Sequence, residues 1–224
     1  KTHDIDYMFQ ASPDTCKELQ GISGINLTFN PVDGYESVLL NLSHPPLDDL
    51  RIRKAIAYAL NKKELVDKLT CGTQKIATED HPDFMWAHNP SVTHYDYNPQ
   101  MAKQLLQQAG YTPGPNGLML KNGHGISLLG VTNTTNVTRR QLSVLVQAQL
   151  RAVGIDMAIK NYPGAQLFAP AGEGGILQLG KFDLSFSGWY AGVDPDDSSQ
   201  FICSMFPPGG YNYTRYCNKA MDAA

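Results

Sequence analysis

The stretch from Ile126 to Asn161 restricts the fold more than any other part of the chain. Ile126–Val131 is a short apolar run that reads as a strand. Thr138–Val153 then sets Leu142, Leu145, Val146, Gln149 and Leu150 near one helical stripe, with Gly154 as its stop. Ile155–Asn161 follows at once and alternates with the two-residue period of a strand. A strand, an amphipathic helix and a second strand joined by a tight turn call for a sheet with helices laid on it. The chain is therefore expected to build a layered α/β domain rather than a helix bundle.

The remaining segments fit that plan. Leu27–Asn30 and Ser37–Leu42 read as extended, with a loop at Pro31–Tyr35 between them. After Pro45-Pro46, Asp48 offers an N-cap, and Ile52, Ala55, Ile56, Ala59 and Leu60 follow at helical spacing. Asn61 caps a second helix with Glu64 at its third position and Leu65 and Leu69 on one side. Thr70–His94, rich in Pro, His and Asp, reads as a long surface loop. Asn98-Pro99 opens another helix, with Ala102, Leu105, Leu106 and Ala109 inward and Gly110 at its end. Lys121–His124 reads as a turn, Gly164–Ala171 as a short helix and Phe182–Gly188 as a last strand. Asn218–Ala224 reads as a helix just starting.

Composition excludes several function classes. With a formal charge of -3 and interspersed signs, the chain has no cationic surplus to neutralise a phosphate backbone, so nucleic acid is not an expected partner. No apolar run approaches the roughly 20 residues of a membrane span. The chain opens Lys1-Thr2-His3-Asp4 without an apolar stretch behind a basic start, so no signal peptide is read. At 224 residues and 42% hydrophobic it has material for a packed core without metal support.

Catalytic motifs are not found: no P-loop, no HExxH and no G-x-S-x-G. Gly172–Gly175 follows a short helix rather than a strand and reads as a mobile surface loop. His81, His88 and His94 share the long loop with Asp80 and Asp83, a donor set suited to a transition metal. Surface loops collect such residues by chance, and the expectation is no metal and no cofactor. The sequons at Asn26, Asn41, Asn133, Asn136 and Asn212 are given little weight. Among the cysteines, Cys203 and Cys217 flank a turn-forming Pro-Gly segment; spacing alone leaves a local disulfide and two buried thiols equally open, and Cys16 and Cys71 unassigned. The most informative cluster is Gly188-Trp189-Tyr190-Ala191-Gly192-Val193-Asp194-Pro195. Two large aromatic residues at a strand end flanked by glycines suit a cleft wall better than a hydrophobic plug.

The order of these segments resembles family 5 of the extracellular solute-binding proteins of ABC transporters, the peptide-, dipeptide- and nickel-type receptors. The resemblance is carried by DIDYMF, LLNLSHPPLDDLRIRKAIAYALNKKELVDKL, YDYNPQMAKQLLQQAGY, VLVQAQLRAVGIDMAI and FDLSFSGWYAGVDPDD, in that order. It implies an α/β periplasmic-binding-protein-like lobe, a layered sheet covered by helices, from a two-lobe protein of about twice this length. Residues 1–40 would be a remnant of the first lobe and the outgoing crossover, 41–186 the second lobe, and 187–224 the returning crossover and the start of a first-lobe helix.

The resemblance also implies a function without catalysis. A monomeric receptor, periplasmic or extracellular and possibly lipid-anchored, would capture a peptide or other small solute between its lobes and deliver it to ABC permease subunits. The rival readings are a sensory or chaperone-like receptor of the same fold and an enzyme with its active site in the missing half. Trp189, Tyr190, Asp194, Asn133 and Asn136 are the expected ligand-binding residues. The tail CSMFPPGGYNYTRYCNKAMD is similar to dipeptide- and haem-binding relatives, which implies a Cys203–Cys217 disulfide. Two departures weaken a dipeptide reading. Gly192 stands where those relatives carry an aspartate for the ligand ammonium, leaving Asp194 as a substitute or as the family's structural Asp-Pro. Asn133 stands nearest the place of their carboxylate-binding arginine, and an amide cannot replace a guanidinium fork. Arg139 and Arg140 are expected to face solvent or an acidic neighbour.

Overall fold

The computed structural model describes residues 13–29, 33–190, 192 and 194–223. The DIDYMF motif, His3, and parts of the expected Leu27–Asn30 strand and Pro31–Tyr35 loop lie outside the described residues. Leu27, Thr28 and Phe29 are described and carry no regular structure.

The longer helices begin where a side chain satisfies a free N–H. Asp49, not the expected Asp48, caps α2 (Leu50–Ala59): its carboxylate accepts from the Arg51 N–H and is gripped by the Arg51 guanidinium. Asn61 accepts from the Glu64 N–H to cap α3 (Lys62–Leu69), and Asn98 accepts from the Met101 N–H to cap α4 (Pro99–Gln108). The apolar faces expected for these helices are the buried ones: Ile52, Ala55, Ile56 and Ala59 on α2, Leu65 and Leu69 on α3, Ala102 and Leu106 on α4. A seven-residue helix α1 (Pro13–Leu19) was not foreseen. Thr70–His94 is irregular, as expected.

The central sheet is built from β1 (Gly34–Leu40), β5 (Ser127–Asn133), β6 (Asp156–Tyr162) and β7 (Leu184–Tyr190), in the order β1-β7-β5-β6. β5 runs parallel to both β6 and β7, and β1 closes the edge antiparallel to β7. Helix α5 (Val137–Ala152) connects β5 to β6 and lies one residue ahead of the expected Thr138–Val153, because Asn136 caps it. The strand expected at Phe182–Gly188 starts and ends two residues later. The one expected at Ser37–Leu42 starts three earlier, since Gly34 pairs with Tyr190 at the far end of the shared register. Between α4 and β5 sits a small antiparallel sheet of β2 (Thr112–Pro113), β3 (Met119–Lys121) and β4 (His124–Gly125). The expected turn at Lys121–His124 joins β3 to β4, with Asn122 and Gly123 both at positive φ as a tight hairpin requires.

The expected helix at Gly164–Ala171 is cut short as α6 (Gly164–Leu167), because Pro170 cannot continue it; a single 3-10 turn follows at Ala171–Glu173. Within the expected loop Gly172–Gly175, Gly172 and Gly174 stand in open space, whereas Gly175 is packed: a Cβ there would lie 1.7 Å from the Ala169 carbonyl oxygen. Past β7 a short helix, α7 (Ser198–Phe201), precedes the tail, and Lys219–Asp222 forms turns rather than the expected helix.

α2, α4 and α5 pack Ile52, Ile56, Leu106, Val146 and Leu150 onto Leu128, Met157, Leu184 and Phe186 of the sheet. Across the sheet, Val131 and Tyr162 meet Leu167, Ile176, Leu177 and Phe182. Covered on both faces, β7 runs buried from Leu184 to Ser187. Two fully buried asparagines brace the loops. Asn41 donates to the Gly180 and Phe182 carbonyls and accepts from Ser43; Asn212 donates to the Phe201, Ile202 and Tyr216 carbonyls. Two of the five sequons are thus sealed inside the protein.

Candidate ligand-binding site

Parallel β5, β6 and β7 end at the same edge of the sheet, with Asn133, Tyr162 and Tyr190 as their last residues. In α/β sheets the carboxyl edge of parallel strands is where side chains leave the core and ligands are met. On β7 the burial that covers Leu184–Ser187 relaxes at Gly188, and Tyr190 is 65% exposed. The strand therefore delivers two aromatic side chains to this edge on a backbone fixed by pairing to β1, Tyr35 opposite Trp189.

The wall is built from more residues than the sequence indicated. The Trp189 ring lies 5.4 Å from that of Tyr211, and Tyr211 meets Tyr213 edge-on at 6.1 Å. Tyr211 comes from the loop closed by the Cys203–Cys217 disulfide, and a second disulfide joins Cys16 to Cys71. One residue before Trp189 on β7, Arg139 clasps Glu36 through Nε at 2.7 Å and Nη2 at 2.8 Å. The pair crosses over Gly188, where a Cβ would come within 2.7 Å of the guanidinium and 2.8 Å of the carboxylate. Arg139 thus meets an acidic neighbour, and its fork is already filled. Tyr35 donates to Gln200 at 3.3 Å, and burial, then the nearby charges of Asp197 and Asp80, leave its phenol pushed up to about 12.

Asn133 and Asn136 stand at the same edge but are engaged in local structure. Asn133 Oδ1 accepts from the Asn136 N–H at 3.1 Å, and Asn136 Oδ1 accepts from the Arg139 N–H at 2.9 Å. Both side-chain oxygens are thereby taken up in shaping the start of α5. Asp194 is exposed and accepts from the Asp196 N–H at 3.2 Å, the turn role of an Asp-Pro; Ala191 and Val193 beside it lie outside the described residues. Asn136→Ala is expected to cost about 1 kcal/mol of stability in chemical denaturation, while Asn136→Asp, which keeps the capping oxygen, stays within a few tenths of the parent. Equal losses for both would remove the capping role.

The long loop brings a second polar cluster against the segment after β7. Glu79, Asp80 and His81 converge there, His81 Nε2 lies 3.1 Å from the Pro195 carbonyl, and His88 Nδ1 contacts Glu79. Burial, then the hydrogen-bonded Glu79 carboxyl, pushes Asp80 up to about 6. Asp83 and His94, grouped with these histidines in the sequence, lie apart: Asp83 pairs with Lys75, and His94 lines a cavity of about 180 Å³ at the start of α3. A wider depression of about 510 Å³ lies between α3 and α5. Neither is lined by Trp189 or Tyr190, and on the aromatic wall Tyr190 and Tyr211 are exposed.

The model of the bacterial extracellular solute-binding proteins, family 5, middle portion, matches residues 1–212. The chain belongs to this family. Among curated relatives, the dipeptide-binding protein of Escherichia coli is 27% identical over 216 residues, 94% of this chain and 37% of its own length. The nickel-binding periplasmic protein of Escherichia coli is 31% identical over 75% of this chain and 31% of its own, and heme-binding protein A of Haemophilus influenzae 28% identical over 83% and 32%. This family-5 chain therefore spans about a third of the length of the curated relatives it matches. Among solved structures, the oligopeptide-binding protein AppA of Bacillus subtilis, in complex with a nonapeptide, superposes with a TM-score of 0.81 at 25% identity, covering 94% of this chain and 42% of AppA. NikZ of Campylobacter jejuni, in complex with Ni(L-His), shares the fold with a TM-score of 0.82 at 22% identity, covering 95% and 42%. The α/β lobe expected of a family-5 chain is the fold found. Among the described residues, no helix is long and apolar enough to cross a membrane.

Proposed function

We propose that this family-5 chain is the cleft-forming lobe of a periplasmic or extracellular receptor that captures a peptide or another small solute and passes it to the permease of an ABC importer. One observation carries the reading: Trp189 and Tyr190 stand open at the carboxyl edge of the parallel strands, buttressed by Tyr211 from a disulfide-closed loop. An aromatic surface held this rigidly loses little entropy when a ligand covers it, and an open wall calls for a second surface to close over the ligand. Pairing of β1 with β7 supports counting both strands to this lobe, which would move the crossings expected near residues 40 and 187 outside Gly34 and Tyr190. Trp189 and Tyr190 supply contact area, the Asn133 and Asn136 amides donate to ligand carbonyls, and Asp194 shapes the turn. Arg139, held by Glu36, is not free to take a ligand carboxylate, which favours a longer peptide bound along its backbone, or a non-peptide, over a dipeptide. The work is capture and release, without covalent chemistry.

The test is a thermal-shift screen of the full-length receptor against dipeptides, oligopeptides, nickel–histidine, hemin and oligosaccharides. One class is expected to raise Tm saturably and to change tryptophan emission at the same midpoint. A receptor stabilised by none of them, or by dipeptides alone, would overturn the corresponding part of the reading.

A further inference from the structure

One imidazole ties the long loop to the segment after β7. His81 Nε2 faces the Pro195 carbonyl at 3.1 Å and Asp197 Oδ2 at 3.6 Å, while Nδ1 faces Asp80 Oδ1 at 3.2 Å and Glu79 Oε2 at 3.4 Å. Both nitrogens thus meet acceptors, the setting of a doubly protonated ring. Glu79 and Asp80 share a hydrogen bond, and two carboxyl groups can do so only with a proton between them. Asp197 is an independent sign of the same charge. Its side chain is only 9% exposed and its Oδ2 has no hydrogen-bond partner. Among the described residues, no lysine or arginine pairs with Asp197, which leaves His81 as the cation beside it.

The cluster reaches in two directions. Glu79 closes loop 79–89 on itself: Oε1 accepts from the Asn89 N–H at 3.0 Å and contacts His88 Nδ1, and Oε2 accepts from the His81 N–H at 3.2 Å. The loop is thereby built to move as one piece when its tie is cut. On the other side, Asp197 Oδ1 accepts from Gln200 Nε2 at 2.8 Å, and Gln200 Oε1 accepts from Tyr35, the residue opposite Trp189 in the β1–β7 register. Polar contacts therefore run unbroken from the loop to the strand pair that carries the aromatic wall.

We propose that His81, the Glu79–Asp80 pair and Asp197 form a proton-operated latch, which clamps loop 79–89 to the chain leaving the aromatic wall and releases it as its protons are lost. In the held state two carboxylates face an imidazolium; in the released one three carboxylates face one another across a neutral ring. Burial, then the hydrogen-bonded Glu79, lifts Asp80 to about 6. Burial opposes the His81 charge, but the Pro195 carbonyl, then Asp80 and Asp197, outweigh it and raise the ring above its usual value. Folded-state values above the unfolded ones give stability that is present at low pH and lost as pH rises through them, so the latch opens from about pH 6 upward. Glu79 is shifted down, because hydrogen bonds from Asp80, Asn89 and His81 prevail over burial, and its contribution is lost only in stronger acid. Of the other groups nearby, His88 touches Glu79 rather than the ring, and Tyr35, its phenol pushed up to about 12, stays neutral. Resting on the reading of the wall as a solute-binding surface, the latch makes solute retention firmer in mild acid than at alkaline pH.

The test is peptide-level hydrogen exchange on the solute-free full-length receptor at about pH 5 and about pH 8, corrected for intrinsic exchange, with circular dichroism on every variant. Protection of residues 79–89 is expected to fall roughly tenfold or more at the higher pH, with β5 and β6 unchanged. His81→Gln, which cannot carry the charge, should show the low protection at both. Asp80→Asn keeps a neutral donor beside Glu79 and should move release to higher pH, toward the titration of His81 alone. Equal protection of the parent loop at both pH values overturns the latch, as does a pH dependence undiminished in His81→Gln. Kd for the solute found by thermal shift is expected to rise between the same pH values in the parent, and less in His81→Gln. An identical pH dependence of Kd in the two proteins overturns the link to the wall. The exchange measurement needs no solute, so an empty thermal-shift screen sinks the receptor reading and not the latch.

Discussion

Reduction of both disulfides is expected to remove most of the stability of this chain. The Cys16–Cys71 bridge spans a sequence separation of 55 and Cys203–Cys217 one of 14. Restricting unfolded loops of those lengths stabilises the native state by about 4 and about 3 kcal/mol respectively, against the 5–15 kcal/mol typical of a whole domain. The two bridges also differ in what they hold. Cys16 is buried on α1, a helix of seven residues, too short to persist unsupported; beyond the bridge, Lys17 Nζ donates to the Lys68 carbonyl. Cys16→Ser with Cys71→Ser should therefore free α1 while leaving the sheet intact. Cys203→Ser with Cys217→Ser should slacken the loop that presses Tyr211 on Trp189, and so shift tryptophan emission as well. Guanidinium unfolding followed by circular dichroism and by fluorescence separates these effects. A midpoint unchanged by reductant would mean that both closed loops are already held in the unfolded state, and the expected stabilisation would be wrong.

What was legible in the sequence is what is local. Asn61 and Asn98 announce their helices because a cap acts within one turn, and the stripes on α2, α4 and α5 are the buried ones because helical periodicity needs no knowledge of a partner. Strand limits were less legible. Leu184–Ser187 is buried on both faces, so β7 has no alternation to mark its span, and its last residues are set by pairing with Gly34–Glu36 far away in the chain. The site divides in the same way. Trp189 and Tyr190 could be read from an aromatic pair between glycines at a strand end. Tyr211 could not, since its place depends on where a disulfide-closed loop docks. Asn136 was read as a ligand contact although it sits where an N-cap belongs; the helix start misplaced by one residue hid that role. Glu36 gave no local sign of its pairing with Arg139, which comes from α5 across the sheet edge. The acid and histidine cluster was visible only in part, because Asp197 joins it from beyond β7.

Trp189→Ala in the full-length receptor is expected to weaken ligand binding by about 2 kcal/mol or more, roughly thirtyfold in Kd. The reason lies in how the ring is held. Pairing of β7 with β1 fixes the backbone, and Tyr211 limits the ring from one side, so its contact area is available to a ligand without further ordering. Truncation forfeits that area and leaves the Tyr211 face exposed. The cost to stability is smaller, about 1 kcal/mol for the lost aromatic contact, since Trp189 is only half-buried. Trp189→Phe keeps a flat apolar face and should recover most of the affinity. Tyr190→Ala should cost less than Trp189→Ala, because Tyr190 is 65% exposed and is covered only as far as the partner lobe reaches it. Isothermal titration with the ligand class found in the thermal-shift screen, beside denaturation of the same variants, separates two roles for the tryptophan. Weakened binding with near-parent stability is the signature of a cleft wall. Unchanged Kd with several kcal/mol of lost stability would make Trp189 a plug at the end of β7, and the ligand would then have to be held elsewhere on this edge.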